Sequence, residues 1–459
     1  MTSFKLSFIH MLLGYMIWAA IFSGWCGRSD RNDGLDANTN ADTDTDTAAD
    51  SDSDTDADSD TDSDADTDAD TDSGHQTAAG IASCEGLVID TARHSMTALD
   101  KPGRQQAVTD PEFGTRIVRI TDVANETGGA VIKPMYSTVQ AWNADETLLL
   151  LYDVGGGHRL YNGQTYGFIQ ALQINPPDLE QVYFSPVDGD ILYFAEGNRL
   201  IEFSISKNSG VPIHTFSACD SVSAGDDPMY ISWDGQSFGF LCSGGRQGFV
   251  YHLDSDSEST YVNASDIGPQ VAPSGEAVYL AGDVYDGNMN FIRTLNLENP
   301  YDHASLGQLA NGRDTLNMVV FDGRATGTLV TFDLLLGDAT VIVGEQTGYP
   351  YPPAGTHISA VAHKAPGWVA VSVVGNDCDG QDVLDNELLL ANTNTGDVCR
   401  IAHHRSYGKN GPQGYWAEPH AVISPTGTRV LFASDWGGGQ SVDTYVVELP
   451  AYASGRSNQ

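Results

Sequence analysis

The chain has 459 residues, with 62 acidic against 22 basic side chains and a formal net charge of −40. That charge excludes nucleic acid and anionic membrane surfaces as partners held by bulk electrostatics, because both repel it. Any acidic ligand therefore needs a local cluster of Arg and Lys or a bound metal.

The first element is an export leader over residues 1–25. Lys5 supplies the positive end, and Phe8 to Trp25 is an apolar run of about eighteen residues. Cys26 follows at once, and an acidic stretch comes soon after. The order resembles a bacterial lipoprotein, in which the cysteine is lipidated, although Trp25 stands where such signals carry a small residue. A cleaved secretory signal and an uncleaved membrane anchor remain open, since the run just reaches spanning length. Residues 26–80 read as a disordered tether. From Ala41 to Ser73 the chain is almost only Asp, Thr, Ser and Ala, with no apolar surface to bury and charges that repel. Roughly fifteen of the negative charges fall between Asp42 and Asp72.

Residues 81–457 read as one all-β domain, a seven-bladed β-propeller with four-stranded blades. A turn of the type Ser/Asn-Pro/Ala-Asp-Gly recurs, each time followed by an apolar strand. The clearest copies start at Trp142, Phe184, Ile231, Val271 and Ile423, with weaker ones at Asn317 and Ile358. Most are spaced by about 40–50 residues, the size of one blade. Glycine in these turns permits the positive φ they need. A strand near Gly114 and the terminal run near Thr444 are expected to share a sheet and latch the ring. A pair of β-sandwiches fits the regular spacing less well, and an eighth blade in the long sixth interval is less expected than a loop.

Propellers bind ligands where the innermost strands converge, so residues a few positions upstream of each turn face the axis. That rule selects His357 and His420. Between them runs HHRSYGKNGPQGYWAE, from His403 to Glu418, a segment that gathers basic and aromatic groups in an acidic chain. Aromatic faces stack on sugars and guanidinium forks pair with carboxylates. The bland alternative is an exposed polar loop with satisfied histidines. Glu418 and His420 fall on the same side of an extended strand. With His357 they form a set suited to Mn²⁺, Zn²⁺ or Fe²⁺.

The stretch EPHAVISPTGTRVLFASDWGG, with IAHHRSY before it, resembles the oligogalacturonate lyase family and the wider TolB-like propellers. The resemblance implies a Mn²⁺ ion near the axis held mainly by histidines. Matched by position, His420 takes the place of the second His of the family's pair, Glu418 replaces the first, His357 matches a His of the preceding blade, and Gln413 lies near the family's Gln position, which Tyr415 occupies here. It further implies β-elimination on a uronate, with Arg405 and His404 in catalytic roles and Lys409, Tyr415 and Trp416 contacting the sugar. The family's base has no clear counterpart; Arg246 and Arg293 are candidates. The expected partner is an acidic glycan, and the domain is expected as a monomer that meets a membrane only through its N-terminal anchor. Two further functions stay open: a non-catalytic propeller binding glycan or protein at the cell surface, and a structural envelope component.

Six cysteines complete the reading. Cys219 with Cys242 and Cys378 with Cys399 are each separated by a strand-like stretch and could bridge neighbouring strands, or remain buried thiols; Cys84 has no evident partner. No CxxC supports a zinc ribbon. Asn376 to Glu387 has the look of a calcium loop, but an ordinary acidic hairpin explains it as well. The GGGH at Gly155 to His158 opens no helix and so is not a phosphate loop.

Overall fold

Each recurring turn joins two antiparallel strands, and the same hydrogen bond closes it in several blades. The amide of Gly235 donates to the Ser232 carbonyl, Gly275 to Ala272 and Gly427 to Ser424, at 2.8–2.9 Å. These glycines have φ of +74°, +75° and +70°, where a side chain would be strained. In the first blade Glu146 takes the position at φ 59°. Its carboxylate is held 2.6 Å from Arg429, which explains how a non-glycine residue is kept there.

The computed structural model describes residues 80–81, 83–243, 246–320, 326–349, 355–374 and 379–452. The expected leader and all but the last residue of the expected tether lie outside them, as do Cys26 and Cys378. Among the described residues the strands form seven antiparallel sheets, five of four strands and two of five. The first blade comprises Ile132–Lys133, Leu148–Asp153, Gly157–Asn162 and Phe168–Ala171. Each of the next five likewise runs outward from a short inner strand. Those inner strands are Tyr183–Phe184, Val222–Ser223, Gln270–Val271, Ala304–Gln308 and Gly355–Ser359. This is the seven-bladed propeller that the repeat predicts. The long sixth interval holds a loop with two short 3₁₀ turns, Gly408–Asn410 and Gly414–Ala417, and no eighth sheet.

The seventh blade closes the ring. Its inner strands Val422–Ile423, Arg429–Ser434 and Asp443–Glu448 come from the end of the domain, and its outer strands Arg116–Arg119 and Ala107–Thr109 come from the beginning. The register pairs Arg116 with Glu448, Ile117 with Val447, Val118 with Val446 and Arg119 with Tyr445. Ile117, Tyr445, Val446 and Val447 are fully buried in a core that also takes in Trp142, Leu149, Leu388 and Leu390 of the two neighbouring blades. Each such side chain removed from water contributes about 1.5–3 kcal/mol.

Two expectations change. The weak fifth copy lies one hairpin upstream of Asn317. The inner strand there is Ala304–Gln308, and its turn runs through Gly312, whose amide donates to the Leu309 carbonyl. Asn317 belongs to the second strand, Asp314–Val319. The Asp322-Gly323 pair, outside the described residues, resembles in sequence the Asn311-Gly312 pair of the inner turn. Cys399, expected with Cys378, is bonded to Cys84, while Cys219 and Cys242 are bonded as expected. The reason is a strap over residues 83–101 that, with Ile81, runs along the last two blades. Val88 bridges Arg400, the Ile81 amide donates to the Thr426 carbonyl, and Trp436 Nε1 donates to the Leu99 carbonyl at 2.9 Å. The two disulfides suit an oxidising, extracytoplasmic compartment.

Because the Cys84–Cys399 bond spans 315 positions of sequence, a Cys84→Ser/Cys399→Ser variant is expected to lose about 2–5 kcal/mol of stability. Thermal unfolding with and without reductant checks this. A wild-type midpoint that reductant leaves unchanged would show that the strap is held by its hydrogen bonds alone.

Candidate axial site

At the entry to the inner strands, every blade contributes a polar side chain. Lys133 ends the first inner strand, Glu180 and Asp227 stand in the second and third blades, and Gln270 begins the fourth inner strand. His303 precedes the fifth, His357 lies in the sixth, and Glu418 and His420 precede the seventh. Inner strands converge on the axis, so residues distant in sequence meet there.

The imidazoles form a cluster, with His303 stacked on His357 and His420 tilted against it. The His357 ring lies 4.4 Å from that of His303, at 22°, and 4.1 Å from that of His420. Tyr136 packs against both His357 and His420, with centroids 5.5 and 5.2 Å away. Glu418 Oε2 is 3.9 Å from His357 Nε2. One ligand atom each from His357, Glu418 and His420 lies within 4.8 Å of the others. His357 is 1% exposed, yet neither of its ring nitrogens makes a hydrogen bond, nor does His420 Nε2. A buried polar atom left without a partner costs about 1–3 kcal/mol. Two imidazoles with unbonded ring nitrogens and a carboxylate, close enough to share one ion, fit a divalent transition metal.

Electrostatics support neutral imidazoles. Burial, with the adjacent His420, holds His357 well below the ordinary histidine range, and burial with Lys133 does the same for His420. Lys133 is itself pushed down to about 7 by burial, opposed by Glu180 and Glu418. Its Nζ meets His420 Nδ1. In its neutral state the amine accepts the Nδ1 proton, which leaves the His420 Nε2 lone pair facing the cluster; a neighbour that fixes the tautomer is a common feature of metal-binding histidines. His420 itself sits at φ 42°, a left-handed conformation unusual for its residue type.

The opposite side of the mouth is acidic. Burial, with Asp178, lifts Glu180 well above its ordinary range, and burial lifts Asp227 to about 7. Gln270 donates to Asp227. Asp178 and Asp226 belong to the same group and are likewise raised by burial.

The expected site residues divide. His357, Glu418 and His420 come together. Tyr415 and Trp416 flank them, with Lys133 Nζ 5.3 and 5.7 Å from their ring centroids. Gln413 turns its amide to the Gln440 carbonyl at 2.8 Å. The Lys409 side chain lies outside the described residues. His404 is locked by structural bonds, Nε2 to the Val373 carbonyl at 3.1 Å and Nδ1 accepting from the Ser406 amide at 3.0 Å. Arg405 faces Asp110 and Glu112 at 3.5 and 3.8 Å, away from the imidazole cluster. Arg246 pairs with Asp266 at the surface, and Arg293, on an outermost strand, donates to the Leu336 carbonyl.

Sequence reasoning missed His303, Lys133, Tyr136, Glu180 and Asp227. His303 was hidden because the fifth turn was placed one hairpin late, which moved the upstream window off it. Lys133 carried a readable signal: it is a lone charge in the apolar run AVIKPM just ahead of the first repeat.

The fold and the polar axial mouth define a seven-bladed propeller with a candidate ligand site on its axis. Comparison with sequence families and with curated proteins returns no match. Among solved structures, the chain is similar to an oligogalacturonate lyase from Vibrio parahaemolyticus. The TM-score is 0.54 at 13% identity, covering 75% of this chain and 96% of that one. At that identity the likeness establishes the shared propeller fold.

Burial pushes His404, and also His158, down to about 4. Such a ring binds fewer protons folded than unfolded. Its contribution is therefore complete above ~pH 6.5, the unfolded value, and is lost as the pH falls toward the folded one. His404→Gln is expected to lose stability less steeply than wild type between about pH 6.5 and 4. Urea midpoints across that range check this; parallel curves would contradict it.

Proposed function

We propose that the protein is an exported propeller that acts on carbohydrate at its axial mouth, by metal-assisted β-elimination on a short uronate-containing glycan. The observation that carries this reading is the fully buried His357, with both ring nitrogens unbonded, beside Glu418 and His420. His357, His420 and Glu418 would hold the ion, Mn²⁺ in the first place and Zn²⁺ or Fe²⁺ otherwise. When bound, it would neutralise the sugar carboxylate and acidify the proton beside it. Lys133 lies where its neutral amine can donate a hydrogen bond to that carboxylate, in the place expected of Arg405. Tyr415 and Trp416 offer half-buried faces for a sugar ring. In the elimination a base takes the proton beside the carboxylate, the freed electron pair forms the conjugated double bond, and the 4-linked sugar leaves with its oxygen taking up a proton.

The carboxylates Asp178, Glu180, Asp226 and Asp227 favour a second reading, a non-catalytic propeller binding glycan at the cell envelope. Carboxylates accept hydrogen bonds from sugar hydroxyls but repel further uronates. Under either reading the ligand presents at most one acid group to the imidazole side and hydroxyls to the acidic side. The protein works as a monomer, displayed at the cell surface by its leader or secreted.

Metal analysis of wild type and of His357→Ala/His420→Ala tests this. About one Mn, Fe or Zn per axial site is expected, lost in the variant. A new ultraviolet-absorbing product from oligouronates is expected from the loaded wild type alone. Metal without product would leave the binding reading. An axial pair whose removal changes neither metal nor glycan binding would overturn both.

A further inference from the structure

A second buried polar cluster lies at the seam where the ring closes. The hairpin between Ala107–Thr109 and Arg116–Arg119 carries Asp110 and Glu112, and it docks on the outer strand of the sixth blade, Val398–His403. Asp110 Oδ2 accepts the His403 amide at 3.0 Å, and the Thr115 hydroxyl donates to the Ile401 carbonyl. His403 and Asp110 are 0% exposed. His403 Nδ1 stands 3.8 Å from Glu112 Oε2. Apart from a contact with the His94 backbone, neither ring nitrogen of His403 makes a hydrogen bond, nor does that carboxylate oxygen.

Arg405 does not fill the gap. Its guanidinium stays 3.5 Å from Asp110 and 3.8 Å from Glu112, beyond direct hydrogen-bond distance, and none of its three nitrogens makes a hydrogen bond. It is held instead over the Trp436 ring, 5.7 Å from the centroid. Two carboxylates against one guanidinium leave a buried negative charge. The ligand atoms of Asp110, Glu112 and His403 all lie within 4.8 Å of one another. Phe113 covers the His403 ring at 4.9 Å.

We propose that Asp110, Glu112 and His403 form a second metal site for a divalent ion of the zinc type, separate from the axial site. Two carboxylates and an imidazole supply three ligands, and water completes a tetrahedral set. The ion would offset the buried negative charge and occupy the lone pairs now left without partners. Because Asp110 and Glu112 come from the start of the domain and His403 from its last third, the ion ties together the two ends that the seventh blade joins. Its effect is on ring closure, not on the glycan.

The test is zinc binding by the chelator-stripped full chain, measured by equilibrium dialysis and metal analysis. The His357→Ala/His420→Ala protein is expected to keep a tightly bound zinc that raises its thermal midpoint. Adding Glu112→Gln or His403→Gln to it should weaken that zinc at least ~100-fold, since loss of a direct ligand exceeds the 10–100-fold typical of outer groups. Glu112 is partly exposed, so Glu112→Gln decides the matter if the His403 variant does not fold. Loss of all zinc in the axial double variant would overturn the proposal. So would zinc binding that neither Glu112→Gln nor His403→Gln changes. Failure of the axial reading alone leaves the seam zinc in place.

Discussion

Pairing between Arg116–Arg119 and Asp443–Glu448 is the constraint on which the molecule depends. A blade alone buries one face of its sheet; only a closed ring buries both faces of all seven. Closure here is a backbone ladder between chain segments more than 300 residues apart, reinforced by buried Ile117, Val446 and Val447. Charge pairs lie alongside it: Arg119 meets Asp443 at 2.8 Å, and Arg429 meets Glu146 across to the first blade at 2.6 Å. Such buried pairs are costly to break one-sidedly, because the partner is left charged in a dry place. They hold the seam in one register.

Both polar centres follow from that closure. The axial mouth exists because seven inner strands stop at similar depth, so that Lys133 of the first blade reaches His420 of the seventh and His357 lies between His303 and His420. The seam cluster exists because an N-terminal hairpin is laid against a C-terminal strand. In each, buried imidazole nitrogens lack a hydrogen-bond partner, those of His357 on the axis and of His403 at the seam, an arrangement that folding alone does not favour. The repeated sheets tolerate it because their hydrogen-bond ladders and apolar faces supply stability elsewhere.

The axial mouth is also asymmetric. Imidazole, amine and aromatic rings occupy the fifth, sixth, seventh and first blades, and carboxylates occupy the second and third. A ligand meets imidazole, amine and aromatic groups on one side and acid groups on the other, so its two sides make different contacts. This polarity selects for orientation, and it separates the present site from the wholly basic groove that a polyanion would require.

Much of the fold was legible in the residues. The turn period, the glycines at positive φ and the unpaired strand at each end imply seven blades and a latch, because strand pairing and turn geometry are local properties. His357 was legible for the same reason, its offset from a turn being set by strand register; Glu418 and His420 instead precede the strand Val422–Ile423, and His420, at φ 42°, departs from the extended strand expected there. Other matters were decided only in three dimensions. The pairing of Cys84 with Cys399, the departure of Arg405 from the axis to Asp110, and the arrival of His303 and Lys133 beside His357 all depend on contacts between distant segments. No local spacing encodes those contacts; they are fixed only when the ring closes and the strap lies down on the last blades.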